Sequence, residues 1–298
     1  MSELAQYLAS GLTVGAIYAL VAVGFVVVYN VTGIINFAQG EFLMLGALIT
    51  IALAGQVGHP ARLPLALAIP IAVAAVAAIG AGAERLALHP RRGASPVTLL
   101  IVTIGISAVL RGGALLAFGS GTYGLRAFSP GGPLHVAGAV VSRQTLWTIG
   151  IAVACVLALT LFFERTAVGK AFRACEINPL AARLAGISPS RFGTLAFALS
   201  AALAALAGAV LAPTTFAVYD MGLPFVVKGF AAWVLGGMGS AAGAVLGGLV
   251  LGLIEALTTG YAPGVVRPYL EALPFVVLIA VLLVRPTGLI AGVGVRRV

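Results

Sequence analysis

The chain has 298 residues, of which 61% are hydrophobic and only 8% charged, and its mean hydropathy is +1.14. Soluble domains carry about 25% charged residues, so this composition excludes an ordinary water-soluble fold and defines an all-α, polytopic helical membrane protein. The net charge of +9 would point to nucleic acid in a soluble chain, but the basic residues cluster between apolar runs, which points to a membrane instead and to no nucleic acid.

No charged residue lies between Glu3 and Glu41, Arg143 and Glu164, Arg191 and Asp220, or Lys228 and Glu255. About 20 apolar residues span a bilayer core as a helix, so several crossings are forced. Met1 to Gln6 has no basic segment, and the first apolar run is expected to stay as a membrane helix rather than a cleaved signal. In chain order the crossings are predicted over Leu8 to Tyr29, Phe42 to Val57, Leu65 to Ala83, Val97 to Phe118, Leu146 to Phe163, Phe192 to Thr215, Phe225 to Gly237, Ala242 to Thr259 and Tyr269 to Val284. The glycines and polar residues of Asn30 to Gly40 predict an interrupted or re-entrant helix, and Phe225 to Gly237 is short, which gives eight to nine spans.

Eleven of the seventeen basic residues fall in three places: Arg85, Arg91 and Arg92; Arg165, Lys170, Arg173, Arg183 and Arg191; and Arg285, Arg296 and Arg297. The positive-inside rule makes all three cytoplasmic. Parity agrees. The fourth crossing leads out to the Gly/Pro-rich loop Gly119 to Arg143, the fifth returns, the sixth to ninth bring Arg285 back inside, and the N-terminus lies outside.

Small residues recur at a spacing of four in Gly11, Gly15 and Ala19 and in Gly239, Gly243 and Gly247, with a further pair at Gly248 and Gly252. Such spacing lets membrane helices approach closely. Asn36, Gln39 and Glu41 follow the break, in NFAQGE, and Glu255 shares a helical face with Gly248, Gly252 and Thr259. A carboxylate facing lipid costs roughly 2.5 to 3.5 kcal/mol on insertion scales, so both acids should face the bundle or a watery path. Glu255 is either a lining or gating group or a charge that caps a helix end or pairs with a loop donor near the interface, and Glu41 is either such a group or an N-terminal helix charge favoured by the macrodipole. Cys155 and Cys175 lack metal or redox spacing and read as small packing residues.

The segment Glu164 to Arg191 is a polar island with five basic and two acidic residues. Asn178 before Pro179 is an N-cap with proline at the first helical position, and Gly186 is a terminator, so Pro179 to Ala185 is predicted as a short helix. Leu180, Leu184 and Ile187 share one face of it. Ser188 before Pro189 starts the next helix. A short amphipathic helix between two membrane helices fits either a groove on a soluble partner or an anionic membrane surface.

These residues carry a resemblance. GAIYALVAVGFVVVYNVTGIINFAQGEFLMLGA from Gly15, TIGIS from Thr103, GKAFRACEINPLAARLAGI from Gly169, VLGGMGSAAGAVLGGLVLGLIEAL from Val234 and RPTGL from Arg285 resemble the permease subunit of the branched-chain amino-acid ABC transporters, of the LivH type. The resemblance covers nearly the whole chain. It implies a single transmembrane permease domain over 1–298, in a bacterial inner membrane, with 164–191 as its cytoplasmic coupling loop.

It further implies that Arg173, Glu176, Asn178, Pro179, Ala181, Leu184, Gly186 and Ile187 belong to the helix that docks on the ATPase. Asn36, Gln39, Gly40, Glu41, Gly236, Gly237, Gly239, Ser240 and Glu255 are implied as translocation-path or gating residues. The family usually has an acidic or amide residue before Asp or Asn; here the pair is Ile177 and Asn178, and Glu176 is expected to supply the displaced charge.

The implied partners are a second related permease, two ATP-binding subunits, a periplasmic binding protein and membrane lipid, with ATP and magnesium held by the partner subunits. The chain itself has no GxxxxGK[ST] loop, no expected cofactor, catalytic or metal-binding residues, and a single aspartate, Asp220. His59, His89 and His135 are predicted in loops. The implied cargo is leucine, isoleucine or valine, or, in related permeases, urea, short amides or aromatic acids. An ion-coupled carrier or channel would have to use Glu41, Glu255 or Asp220, and a membrane scaffold would use none of them.

Overall fold

The computed structural model describes residues 2–55, 62–136, 139–263 and 267–290. His59, Arg296, Arg297 and the predicted end of the second crossing at Val57 lie outside the described residues. The chain folds into α1 (Ser2–Thr32), α2 (Gln39–Leu53), α3 (Leu65–Ala83), α4 (Pro96–Phe118), a small antiparallel hairpin of β1 (Leu134–Val136) and β2 (Ala139–Val141), and α5 (Arg143–Arg165). It continues through α6 (Ala167–Ile177), α7 (Pro179–Leu184), α8 (Pro189–Leu211), α9 (Gly222–Gly236), α10 (Ala241–Tyr261) and α11 (Leu273–Val284).

Nine of these helices fall on the predicted crossings. Six, namely α1, α3, α4, α5, α8 and α10, are long and apolar enough to cross a bilayer alone. The others have 15, 15 and 12 residues in α2, α9 and α11. At 1.5 Å per residue these reach only about 18 to 22 Å, short of a core about 30 Å thick.

The ends of the bundle sort as parity requires. Asn30 Nδ2, near the end of α1, donates to Glu176 Oε1 at 2.8 Å and lies 3.4 Å from Gly239 O. Arg92 binds Glu84 and the Ser190 carbonyl, and Leu289 and Ile290 bond back to Leu235 and Gly236. The basic turn after α3, the island, the α9–α10 turn and the segment after Arg285 therefore share one end. At the other, Tyr7 meets Tyr261 with ring centroids 5.1 Å apart, and Tyr123 pairs with Ala217 through backbone hydrogen bonds.

Two similar units are interleaved with opposite direction. α8 packs on α2 and α3, α1 packs on α9 and α10, and α1 crosses α8. Each unit is a long helix, a break, a short helix and another long helix, arranged as an inverted repeat. Among the six long helices the apolar stretch of α1 is the most enclosed; its Tyr18 and Phe25 are fully buried, as is Trp233 of α9, with Phe25 stacked on Trp233 at 5.5 Å.

The small-residue spacings do make close contacts. A side chain at Gly15 would meet Leu249 Cα at 2.9 Å, and one at Gly252 would overlap the Gly15 backbone, so α1 and α10 touch main chain to main chain. Gly243 and Gly236 do the same between α9 and α10. Gly82 of α3, by contrast, faces open space. Gly252→Val should therefore destabilise the fold by at least the ~1 to 3 kcal/mol typical of overpacking, lowering the unfolding temperature in detergent by several degrees, whereas Gly82→Ala should leave it unchanged.

Candidate functional site

The break between α1 and α2 is built to place polar groups inside the bundle. Gly33, at φ +68°, ends α1 in the left-handed region, where glycine is strain-free. The chain then returns into the bundle without helical bonds. Phe37 N donates to Thr103 Oγ1 at 3.2 Å, and that hydroxyl is 3.1 Å from the Ile35 carbonyl. Asn36 Oδ1 accepts from Ala38 N at 3.1 Å, and Gln39 engages the carbonyl and hydroxyl of Ser200 at 3.2 and 2.7 Å. Asn36 and Gln39 are fully buried. In this conformation they satisfy the broken backbone and the α1–α8 crossing and do not border an open surface.

Gly40 and Gly222, at the starts of α2 and α9, meet face to face, and a Cβ on Gly40 would overlap the Gly222 carbonyl. The positive ends of two helix dipoles thus converge where Glu41 stands. Its side chain is 1% exposed, and Oε1 accepts from Ser107 Oγ at 2.9 Å and from Arg111 Nε and Nη2 at 3.2 and 2.6 Å. Oε2 has no hydrogen-bond partner among the described residues, though it lies against Gly222.

Glu255 sits in a second intramembrane pair. Lys228 Nζ donates to its Oε1 at 2.5 Å and Tyr18 OH to its Oε2 at 2.7 Å, with Nζ 5.6 Å from the Tyr18 ring centroid. The two side chains keep 22% and 19% of their surface exposed, so this pair opens at the surface between α9 and α10. The loop Ala212 to Met221 carries Asp220 exposed.

Gly236, Gly237, Gly239 and Ser240 form the tight α9–α10 turn at the island end. Gly237 has φ +105°, Ser240 Oγ caps α10 by accepting from Gly243 N at 3.0 Å, and Trp233 Nε1 donates to Met238 O at 2.7 Å.

The island folds locally as its sequence dictates. Asn178 Oδ1 accepts from Leu180 N and Ala181 N at 3.0 and 3.1 Å. Gly186, at φ +80°, sends its N–H to Arg183 O while Ile187 N reaches Ala182 O, the paired bonds of a Schellman ending. The ordered helix stops at Leu184, one residue short of the prediction, because Ala185 serves as its C-cap. Leu180 and Leu184 are 67% and 86% exposed, an apolar face left open by the described residues.

α6 is an additional helix that the residue pattern did not single out. It is capped by Thr166 Oγ1 and anchored by buried Phe172 and Cys175, with Phe172 edge-on to Phe163 and Phe192. Arg173 is half-exposed and only 3.8 Å from equally exposed Glu164, a weak pair. Burial raises the Glu176 carboxyl above its ordinary pKa, and Arg173 opposes this.

Arg111, Lys228 and Glu84 were missed by sequence reasoning. The first two are lone charges inside otherwise apolar helices, and such residues are signals of function by default. Buried Glu84 opens a single π-helical turn after α3 and ties Arg92 to Thr194 of α8. His89 Nδ1 lies 3.4 Å from Ser190 Oγ and 3.9 Å from Glu84 Oε1. One nitrogen cannot serve both in a proton relay, so the trio is no catalytic dyad. No group of three metal-ligating side chains occurs among the described residues.

A bundle with two opposed broken helices and internally paired charges is the architecture of a membrane transport protein. The family model of the branched-chain amino acid transport system permease component matches residues 7–282, and the chain belongs to that family. It is 37% identical to the high-affinity branched-chain amino acid transport system permease protein BraD of Pseudomonas aeruginosa, across 98% of this chain and 97% of that one. It is 35% identical to LivH of Escherichia coli over the same shares, and 30% identical to a probable LivH of Methanocaldococcus jannaschii over 91% and 87%. Among solved structures, PsaBC from Streptococcus pneumoniae in complex with Fab aligns over 94% of this chain and 92% of that one, at 15% identity and a TM-score of 0.49. The protein is thus a multi-pass inner-membrane transport component that works with partner subunits.

The Lys228–Glu255 pair yields a direct test. Removing one partner of a fully buried pair costs about 3 to 5 kcal/mol, and this pair, which is about a fifth exposed, should lose less, whereas replacing both with apolar groups costs little. Lys228→Met and Glu255→Leu should each lower thermal stability in detergent, and the double variant should be more stable than either.

Proposed function

We propose that this chain is the membrane-spanning subunit of an ATP-driven importer of branched-chain amino acids, forming part of the translocation path with a second related permease. A periplasmic binding protein delivers the cargo, and two ATP-binding subunits hold ATP and magnesium and drive the cycle. The observation that carries this reading is α7, a short helix fixed at both ends by its caps and presenting exposed Leu180 and Leu184 at the island end. A rigid apolar knob of this kind suits a groove on a soluble ATPase. Arg173, Asn178, Pro179, Ala181, Gly186 and Ile187 shape or flank that knob, while Glu176 ties it to α1 through Asn30.

The path runs beside Gly40, Glu41 and Glu255, with the turn Gly236 to Ser240 as its cytoplasmic gate and Asn36 and Gln39 as the frame of the broken helix. Pairing of Glu41 with Arg111 and of Glu255 with Lys228 supports a permease over an ion-coupled carrier, because each acid already has a basic group against one of its oxygens. Urea, short amides and aromatic acids are the competing cargoes, separable by competition against leucine uptake.

Two experiments test the reading. Gly186→Val puts a β-branched residue at φ +80° and should misplace Ile187, and Arg173→Glu reverses a surface charge. Both should insert normally in the reconstituted complex yet lose most substrate-stimulated ATPase activity; wild-type coupling in both would refute the docking role of α7. For orientation, cysteines at Arg91 and Arg183 should resist an impermeant thiol reagent outside sealed cells, whereas one at Ser129 should react.

A further inference from the structure

Arg111 is the only charged residue of α4, and it is held along one edge. Glu41 and Ser107 occupy Nε and Nη2, while Nη1 makes no hydrogen bond to a described residue. The side chain keeps 30% of its surface exposed, against 1% for Glu41. The surroundings are open: Gly105, Ala108, Gly112 and Gly113 are exposed, and a Cβ at any of the three glycines would meet nothing. Arg111 lies about 10 Å from the Phe118 end of α4, at 1.5 Å per residue. A guanidinium opening to lipid at that depth is disfavoured, which makes this face one that meets water or protein.

A guanidinium is a planar fork of five N–H donors suited to carboxylates. Here a buried carboxylate clamps one edge and fixes the plane, and the other edge keeps its donors. The converging N-termini of α2 and α9 add a field that favours negative charge nearby. Glu41 and Arg111 already neutralise one another, so the ligand that leaves the site uncharged is a zwitterion, whose ammonium group balances the carboxylate it brings.

We propose that the Nη1 edge of Arg111 receives the α-carboxylate of the amino acid during its passage, with Glu41 as the positioning residue that aims the guanidinium. This rests on the reading of the chain as an amino-acid permease. It assigns a chemical filter to the path, since amides and urea lack the carboxylate.

The test uses the complete wild-type complex in proteoliposomes, whose ATP-driven leucine uptake is measured first. Absence of uptake would sink the permease reading itself. The same vesicles are then treated with 2,3-butanedione, and modification at Arg111 is followed by peptide mass mapping. Leucine should slow modification of Arg111 about tenfold at ten times its Kd, and 4-methylpentanoate, which shares the carboxylate but lacks the balancing ammonium, should also protect but only at higher concentration. Isoamylamine, which keeps the side chain and amine but has no carboxylate, should leave the rate unchanged. Uptake accompanied by no modification at Arg111, by no protection, or by equal protection from isoamylamine would overturn this proposal and leave the permease reading standing.

Discussion

Inside hydrocarbon every backbone N–H and C=O must find a partner within the protein, and this structure depends on how that demand is met where two helices break. At Gly33 to Ala38 the backbone is served by Thr103 of α4 and by Asn36 itself. The N-terminal ends of α2 and α9 converge across Gly40 and Gly222, and the Glu41 carboxylate sits at the convergence. A buried acid is costly on its own, but here it meets two positive helix ends and a guanidinium. The glycines are indispensable to this arrangement, because any side chain would push the two helix starts apart.

From that centre the bundle divides into a tight interior and an open periphery. α1, α2, α8 and α9 are largely enclosed, and their contacts run through glycine and alanine, so backbones touch and each helix is held by many weak dispersion contacts. α4 and α5 expose most of their surface; Thr103 and Arg111 link α4 to the centre beside buried Ala114, and α5 joins it through Ala152 and Leu159 as well as the bond from Gln144 to Val210.

The island follows a different physics. Its helices are too short to be stable alone, and they are fixed by caps and by one aromatic cluster around Phe172 rather than by a broad buried face. α7 is thereby held rigid while its leucines stay outside. α7 adjoins α6, and Glu176 of α6 accepts a hydrogen bond from Asn30 near the end of α1.

The amino-acid sequence alone determined the membrane class, the positions of nine apolar helices, the break after Asn30, the capped helix from Pro179, and the placing of Arg92, the island and the start of the segment after Arg285 at one end of the bundle. All of these rest on local signals: apolar run length, charge placement, and residues with special caps or backbone angles. Only the tertiary structure decided that Glu41 belongs with Arg111 and Glu255 with Lys228, that Asn36 and Gln39 are sealed inside, and that two units are inverted about the Gly40–Gly222 contact. The physical reason is distance along the chain. Partners such as Glu41 and Arg111 are separated by a long sequence interval, and a lone charge in an apolar run reveals that it must be paired without revealing with which residue. α6 escaped notice for the opposite reason: its mixed composition carries little signal, and Phe172 and Cys175 become a buried face only when α5 and α8 close over them.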